Sequence, residues 1–179
     1  MGKRVLLIQG HPDHLQPHFC HALADAYAEG AADAGHEVRR VDVAALDFPL
    51  LRSAAHWQEG KLPPGLAAAQ ADIAWAEHVV VVFPLLKGFF EQVLRPGFAV
   101  EHSDSRSMFR KRLAGRSARV VVTMGMPAAI YRWVFRAHSV RSLERNILGF
   151  VGFAPVHETL IGGAGELNEK TSAKWLARM

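Results

Sequence analysis

The 179-residue chain contains one cysteine, Cys20. A lone thiol forms no intrachain disulfide and no Cys-based zinc site, and a reducing, cytoplasmic setting is expected. No apolar run approaches the roughly 18 residues needed to cross a bilayer. The start, Met1-Gly2-Lys3-Arg4-Val5, passes through a short apolar run straight to Gly10-His11-Pro12, a poor match to a secretory leader. Neither Gly-x-Gly-x-x-Gly nor Gly-x-x-x-x-Gly-Lys-Ser/Thr is present, so a Rossmann dinucleotide loop and a P-loop are not expected. Excess charge is small: 21 Lys and Arg against 17 Asp and Glu leave +4. That balance suits an anionic small partner and is far short of a nucleic-acid-binding tail. With no repeat, low-complexity tract or linker, one domain over residues 1–179 is expected.

What is present is alternation of strands and helices. Val5-Leu6-Leu7-Ile8 is an unbroken apolar run closed by Gly10, which reads as a strand buried on both faces. Phe19, Leu23, Ala26, Tyr27 and Ala31 recur at helical spacing, with Gly35 where a helix end would be capped. Residues 37–43 alternate like an edge strand, and 44–65 read as a long connection. A helix is expected over 66–77, a strand over 78–83 and a helix over 85–94 behind Pro84. Residues 95–116 read as irregular. A strand at 118–123, a helix over 128–146, a strand at 157–161 and a closing helix over 167–178 complete the pattern. Right-handed crossovers between such strands build an α/β three-layer sandwich, a flavodoxin-like parallel sheet of order 2-1-3-4-5.

In such a sheet ligands bind beyond the carboxyl ends of the strands. That rim holds the segments after Ile8, Phe83 and Thr123. The first leads into a helix N-terminus, which can hold a phosphate or can be a plain strand–helix connection. Gly10-His11-Pro12 with Phe19-Cys20-His21-Ala22-Leu23, Lys87-Gly88-Phe89-Phe90, Leu94-Arg95-Pro96-Gly97-Phe98-Ala99 and Thr123-Met124-Gly125-Met126-Pro127 recur in this order. Together they resemble the NAD(P)H:quinone oxidoreductases of flavodoxin-like fold over nearly the whole chain.

The resemblance implies a flavin, FAD slightly before FMN, hydride taken from NAD(P)H and delivered to quinones or similar acceptors, and a homodimer. It places His11, Pro17, Phe19 and Cys20 near the flavin phosphate, and Pro84 and Leu85 beside the ring. Thr123, Met124, Gly125 and Met126 would wall the ring edge. Tyr131 would stabilise charge as hydride arrives, with His138 as its partner. On the residues alone, the plain alternative for Tyr131 is a helix-start aromatic packed under a loop, and His138 reads first as a solvated helix residue.

The sequence departs from that family in two places. Relatives carry Trp, an aromatic, Gly and Pro-Ala-Leu between Phe-Pro-Leu and Leu-Lys-Gly-Phe. Here Pro84-Leu85 runs directly into Leu86-Lys87-Gly88. The connection is shorter by about eight residues, where such loops usually take about two to six. Pro17 stands where relatives have Ser or Thr, and it offers a phosphate neither hydroxyl nor N–H. Three explanations remain open: weak flavin binding, a flavin-free relative acting as a binding or regulatory module, or further residues in the protein at that junction.

Other clusters have plainer readings. His11, His14, His18 and His21 with Asp13 and Asp25 raise the question of a metal, but Pro12 and Pro17 break any single helix through them, and no metal is expected. Arg106, Arg110, Lys111, Arg112, Arg116 and Arg119, then Arg132, Arg136, Arg141 and Arg145, read as solvated surface or as attraction for an anionic cofactor. No aromatic-interleaved motif accompanies them, so nucleic acid is not expected. Cys20 reads as a small residue at a helix start. Trp57, Trp75, Trp133 and Trp175 read as packing anchors, with a partner surface open for Trp57.

Overall fold

The structure is a computed structural model that describes residues 2–49, 53, 61–83, 87–102 and 109–179. Its elements follow the order β1 (Arg4–Gln9), α1 (Phe19–Asp33), β2 (Glu37–Asp42), α2 (Pro64–Trp75), β3 (His78–Phe83) and α3 (Lys87–Val93). Then come β4 (Val100–His102), β5 (Phe109–Lys111), β6 (Ser117–Thr123), α4 (Ala128–Trp133), α5 (His138–Ser142), β7 (Val156–Ile161) and α6 (Glu169–Leu176).

The main sheet is parallel and ordered β2-β1-β3-β6-β7. Counting only its own five strands, this is the expected 2-1-3-4-5. The cause is visible in the side-chain alternation. Leu6 and Ile8 join Val79, Val81, Val120 and Val122 on one face. Val5 and Leu7 join Val80, Val82 and Val121 on the other. A strand apolar on both faces needs a helical layer on each side. α1 packs on the second face with α6 beside it, while α2, α3 and the α5 region cover the first. β2 and β7 are the edges, and apart from Val41 and Ile161 their side chains are exposed or half-buried.

α1 ends as its sequence suggests. Gly35 takes φ +79°, where a Cβ would be strained. His36 N–H donates to Ala31 O and Gly35 N–H to Ala32 O, the paired bonds of a Schellman turn.

Three expectations change. Residues 95–116 are not wholly irregular: β4 and β5 form a two-stranded antiparallel sheet. Strands of three residues are too short to show a period. The helix over 128–146 is broken after α4. Arg136 and Ala137 adopt φ of 52° and 50°, which costs a non-glycine residue about 1–2 kcal/mol. Burial of Ala137 at 2% exposure holds the break. Beyond α5 the chain winds as a π-helical turn, Leu143–Leu148. Its i→i+5 bonding lets Leu143 and Leu148, five apart, both enter the core. Third, Trp133 is no packing anchor, being 80% exposed. Trp75 is half-buried beneath the Arg39 guanidinium, 4.0 Å from its ring centroid, and Trp57 lies outside the described residues.

Part of the basic stretches is tied into the fold, and Arg106 lies outside the described residues. Arg116 donates to Ala74 O and Ala76 O, Arg112 pairs with Glu101 at 2.5 Å, and Arg132 pairs with Glu158. Among the described residues no helix is long and apolar enough to cross a membrane.

Leu7 is fully buried at the centre of the sheet. Leu7→Ala is expected to cost about 2–5 kcal/mol. Urea unfolding should show this as a lower midpoint with an unchanged slope.

Candidate functional site

The strand register aligns one rim. Gln9 pairs with Val82, Phe83 with Val122 and Thr123 with Ile161. The segments leaving β1, β3, β6 and β7 therefore emerge together at the carboxyl ends. β2 and β3 flank β1 on opposite sides, so the chain reverses direction across the sheet here.

The first loop is held by its own polar groups. Gln9 Oε1 accepts from His11 N–H at 2.6 Å. The other end of that amide, Nε2, is buried with no hydrogen-bond partner among the described residues. Asp13 N–H donates to His11 Nδ1 at 3.2 Å, and His18 Nε2 lies 2.9 Å from Asp13 Oδ2. That His18 bond holds the Asp13 carboxyl below its usual range. The His11 and His18 rings stack at 3.9 Å, with His21 edge-on to His11 at 5.4 Å. Burial, then the His11 charge, keeps His21 below the ordinary imidazole range. The imidazoles thus face one another, and no group of three or more His, Cys, Asp or Glu is arranged for a metal among the described residues.

His18 is the N-cap of α1 and shares a capping box with His21, and the first turn carries no acid. His18 N–H donates back to His21 Nδ1 at 3.1 Å, and His21 N–H donates to His18 O at 2.9 Å. The Phe19 and Cys20 N–H groups at the start of this 15-residue helix are left toward the rim, a favourable place for an anion. Phe19 is half-buried beside them and Pro17 is exposed.

Cys20 and Thr123, 103 residues apart, are brought together: Sγ and Oγ1 lie 2.9 Å apart in the interior. Burial pushes the Cys20 thiol up, only partly offset by Thr123. Both side chains are therefore spent on joining α1 to β6, and only their backbone can serve the rim. Met124 is half-buried, and its N–H donates to Ile161 O at 2.9 Å. Gly125 and the 40%-exposed Met126 follow. A Cβ at Gly125 would meet nothing within 4 Å, so this loop borders open space.

The sequence reading missed Gln9 and Gly162. Gln9 sits at the end of an apolar run and resembles ordinary strand termination. Gly162 lets the loop after β7 press against the loop after β6. A Cβ there would stand 2.1 Å from Ala128 N and 2.7 Å from Met126 O. Its signal, Gly162-Gly163 after a strand, is present but points equally to any turn.

Tyr131 is half-buried. Its hydroxyl lies 2.5 Å from Ser139 Oγ and accepts from Val140 N–H at 3.3 Å. It meets Ser139, not His138, which is exposed at the start of α5. Pro84 and Leu85 lie outside the described residues. β3 ends at Phe83 and α3 begins at Lys87, so three residues join them.

The Cys20 geometry has a direct check. In the native protein the thiol should resist an aromatic disulfide reagent at neutral pH. Rapid reaction should appear only after addition of denaturant, followed by thiolate release.

Comparison with known proteins places this geometry. Residues 3–179 match the family described by a flavodoxin-like fold. The NAD(P)H dehydrogenase (quinone) 1 of Rattus norvegicus is 25% identical over 197 residues, covering 91% of this chain and 70% of that protein. The solved NAD(P)H:quinone oxidoreductase of Methanothermobacter marburgensis superposes with a TM-score of 0.79 at 22% identity, over 99% of this chain and 95% of that one. An FMN-dependent NADH-azoreductase of Bacillus anthracis, solved with FMN, gives 0.69 at 13% identity, over 99% and 95%. Strand order, rim and match over nearly the whole length agree: the chain belongs to the flavodoxin-like fold family.

Proposed function

We propose that this protein is a flavin-dependent NAD(P)H oxidoreductase that reduces quinones or similar small acceptors. The observation that carries this reading is the acid-free N-terminus of α1 at the reversal point of the sheet, where the Phe19 and Cys20 N–H groups suit a flavin phosphate. The unpartnered Gln9 amide N–H beside it is a buried donor with a bond left to make. A bound flavin supplies the hydride chemistry that no side chain here can perform.

The chain's own residues have distinct parts in this reading. His11 and His18 set the first loop against the phosphate end, with backbone N–H groups of Phe19 and Cys20 as donors and Pro17 shaping the turn. Met124, Gly125 and Met126 border the ring, held in place by the Thr123–Cys20 contact and by Gly162. Pro84 and Leu85 would close the opposite side. Tyr131 would offer its hydroxyl to developing charge, positioned by Ser139 and Val140. His138 is the exposed second candidate for that role. FMN is favoured over FAD, since the Bacillus anthracis relative is solved with FMN. The nicotinamide co-substrate and a cytoplasmic setting belong to the same reading. The three-residue junction after Phe83 favours the rival, a flavin-free binding module on this scaffold.

The test is reconstitution. Purified protein mixed with FMN or FAD should retain flavin absorbance through gel filtration and oxidise NADPH or NADH when a benzoquinone is added. No retained flavin and no turnover with either cofactor would replace the enzyme by the binding module.

A homodimer fits the exposed apolar face around α4. Ile130, Trp133, Val134 and Phe135 are 45%, 80%, 70% and 52% exposed, beside Met126. Such a contiguous patch is unusual on a monomer's surface, and it adjoins the rim. Light scattering should give twice the 19.7 kDa chain mass. Trp133→Glu should shift the protein toward one chain mass.

A further inference from the structure

The rim at the carboxyl ends is built as two separate units. The first loop is tied to β3, Gly10 N–H donating to Val82 O at 2.8 Å, and it leads into the Phe19 and Cys20 N–H groups that α1 leaves toward the rim. The loop after β6 is tied to β7 and its following loop instead. Met124 N–H donates to Ile161 O at 2.9 Å, Ala164 N–H to Met124 O at 2.9 Å and Gly163 N–H to Met126 O at 3.1 Å. These backbone bonds make the Met124–Met126 wall one body with the end of β7.

β3 stands between β1 and β6, so the strands that carry the two units are not paired with each other. Among the described residues, the hydrogen bond that joins the units is the 2.9 Å contact between Cys20 Sγ and Thr123 Oγ1. Each end of it adjoins a working part of the rim. Cys20 is the second residue of α1, and its own N–H is one of the two groups left for an anion. Thr123 is the last residue of β6, and the wall begins at the next residue. The two residues are only 3% and 9% exposed, so water does not compete for the bond. Burial raises the Cys20 thiol above its ordinary range, which keeps it protonated at neutral pH. A proton is therefore always present between sulfur and oxygen.

We propose that the Cys20–Thr123 pair determines specificity for a phosphate-bearing flavin, by fixing the spacing between the α1 N–H donors and the Met124–Met126 wall. The proposal rests on the flavin reading above. A ligand held at two points benefits from both only where their separation matches its own reach, and a small misplacement loses much of the benefit. With the spacing fixed, FMN engages wall and helix start together. Riboflavin has the same ring and ribityl chain without the phosphate, so it engages the wall alone and is indifferent to the spacing. Cys20 and Thr123 act from the interior through their backbones, as positioning residues.

The experiment measures FMN and riboflavin affinity by quenching of flavin fluorescence. It compares the full chain with Thr123→Val, Thr123→Ser, Cys20→Ala and the Cys20→Ala, Thr123→Val double variant. Valine keeps the shape of threonine without the hydroxyl, and serine keeps the hydroxyl. The unaltered protein should prefer FMN over riboflavin by about tenfold. Thr123→Val and Cys20→Ala should each cut that preference about fivefold, with riboflavin affinity held within about twofold. Thr123→Ser should keep the preference, and the double variant should lose no more than either single one. Thermal unfolding of the flavin-free proteins confirms that each variant folds. The proposal is overturned if the unaltered protein binds FMN no better than riboflavin, or if the folded Thr123→Val and Cys20→Ala variants keep the full preference. It is equally overturned if riboflavin affinity falls as far as FMN affinity, if Thr123→Ser loses as much as Thr123→Val, or if the two losses add in the double variant. Binding of neither flavin to the unaltered protein overturns the flavin reading, and this proposal with it.

Discussion

The rest of the structure depends on three strands that are apolar on both faces. β1, β3 and β6 send alternate residues into two separate cores, and neither face can be left to water. A fully buried valine or leucine contributes about 1.5–3 kcal/mol relative to exposure, so helical layers on both sides follow. Parallel crossovers then put all the strand ends of one sense on one rim. The two rims are chemically different because every strand runs the same way.

Each rim is built by what happens when the apolar alternation stops. At the carboxyl ends it stops at Gln9, Phe83 and Thr123, and loops follow. There close packing of two loops through Gly162 and the buried Cys20–Thr123 contact shape the border of an open space. At the amino ends it stops at Lys3, His78 and Ser117, and the inner face itself becomes polar. A sheet of this kind thus offers two concavities, one made by loops and a helix N-terminus, one by the side chains at the strand starts.

Strand and helix identities were largely legible because they rest on local periodicity. Val5–Ile8, His78–Phe83 and Ala118–Thr123 are continuous runs that few other structures accommodate. The β4–β5 hairpin was not legible, since three residues per strand show no period. The break at Arg136 and Ala137 was hidden for a different reason. Neither residue prefers a left-handed backbone, and burial of Ala137 overrides that preference. Trp133 shows the limit of composition, because an aromatic at helical spacing carries no record of which face is covered.

The order of the chain already contained the parallel sheet, its two edges and the helix that starts behind the first loop. These follow from side-chain size and alternation between residues a few positions apart. Pairings over long separations were decided only by the folded sheet: Cys20 with Thr123, Tyr27 with His78, and His78 with Ser117. Each depends on strand order and register, which bring distant residues to one face. Local preference carries no information about which distant residue will stand opposite, and so the chemistry of both rims emerges with the tertiary structure.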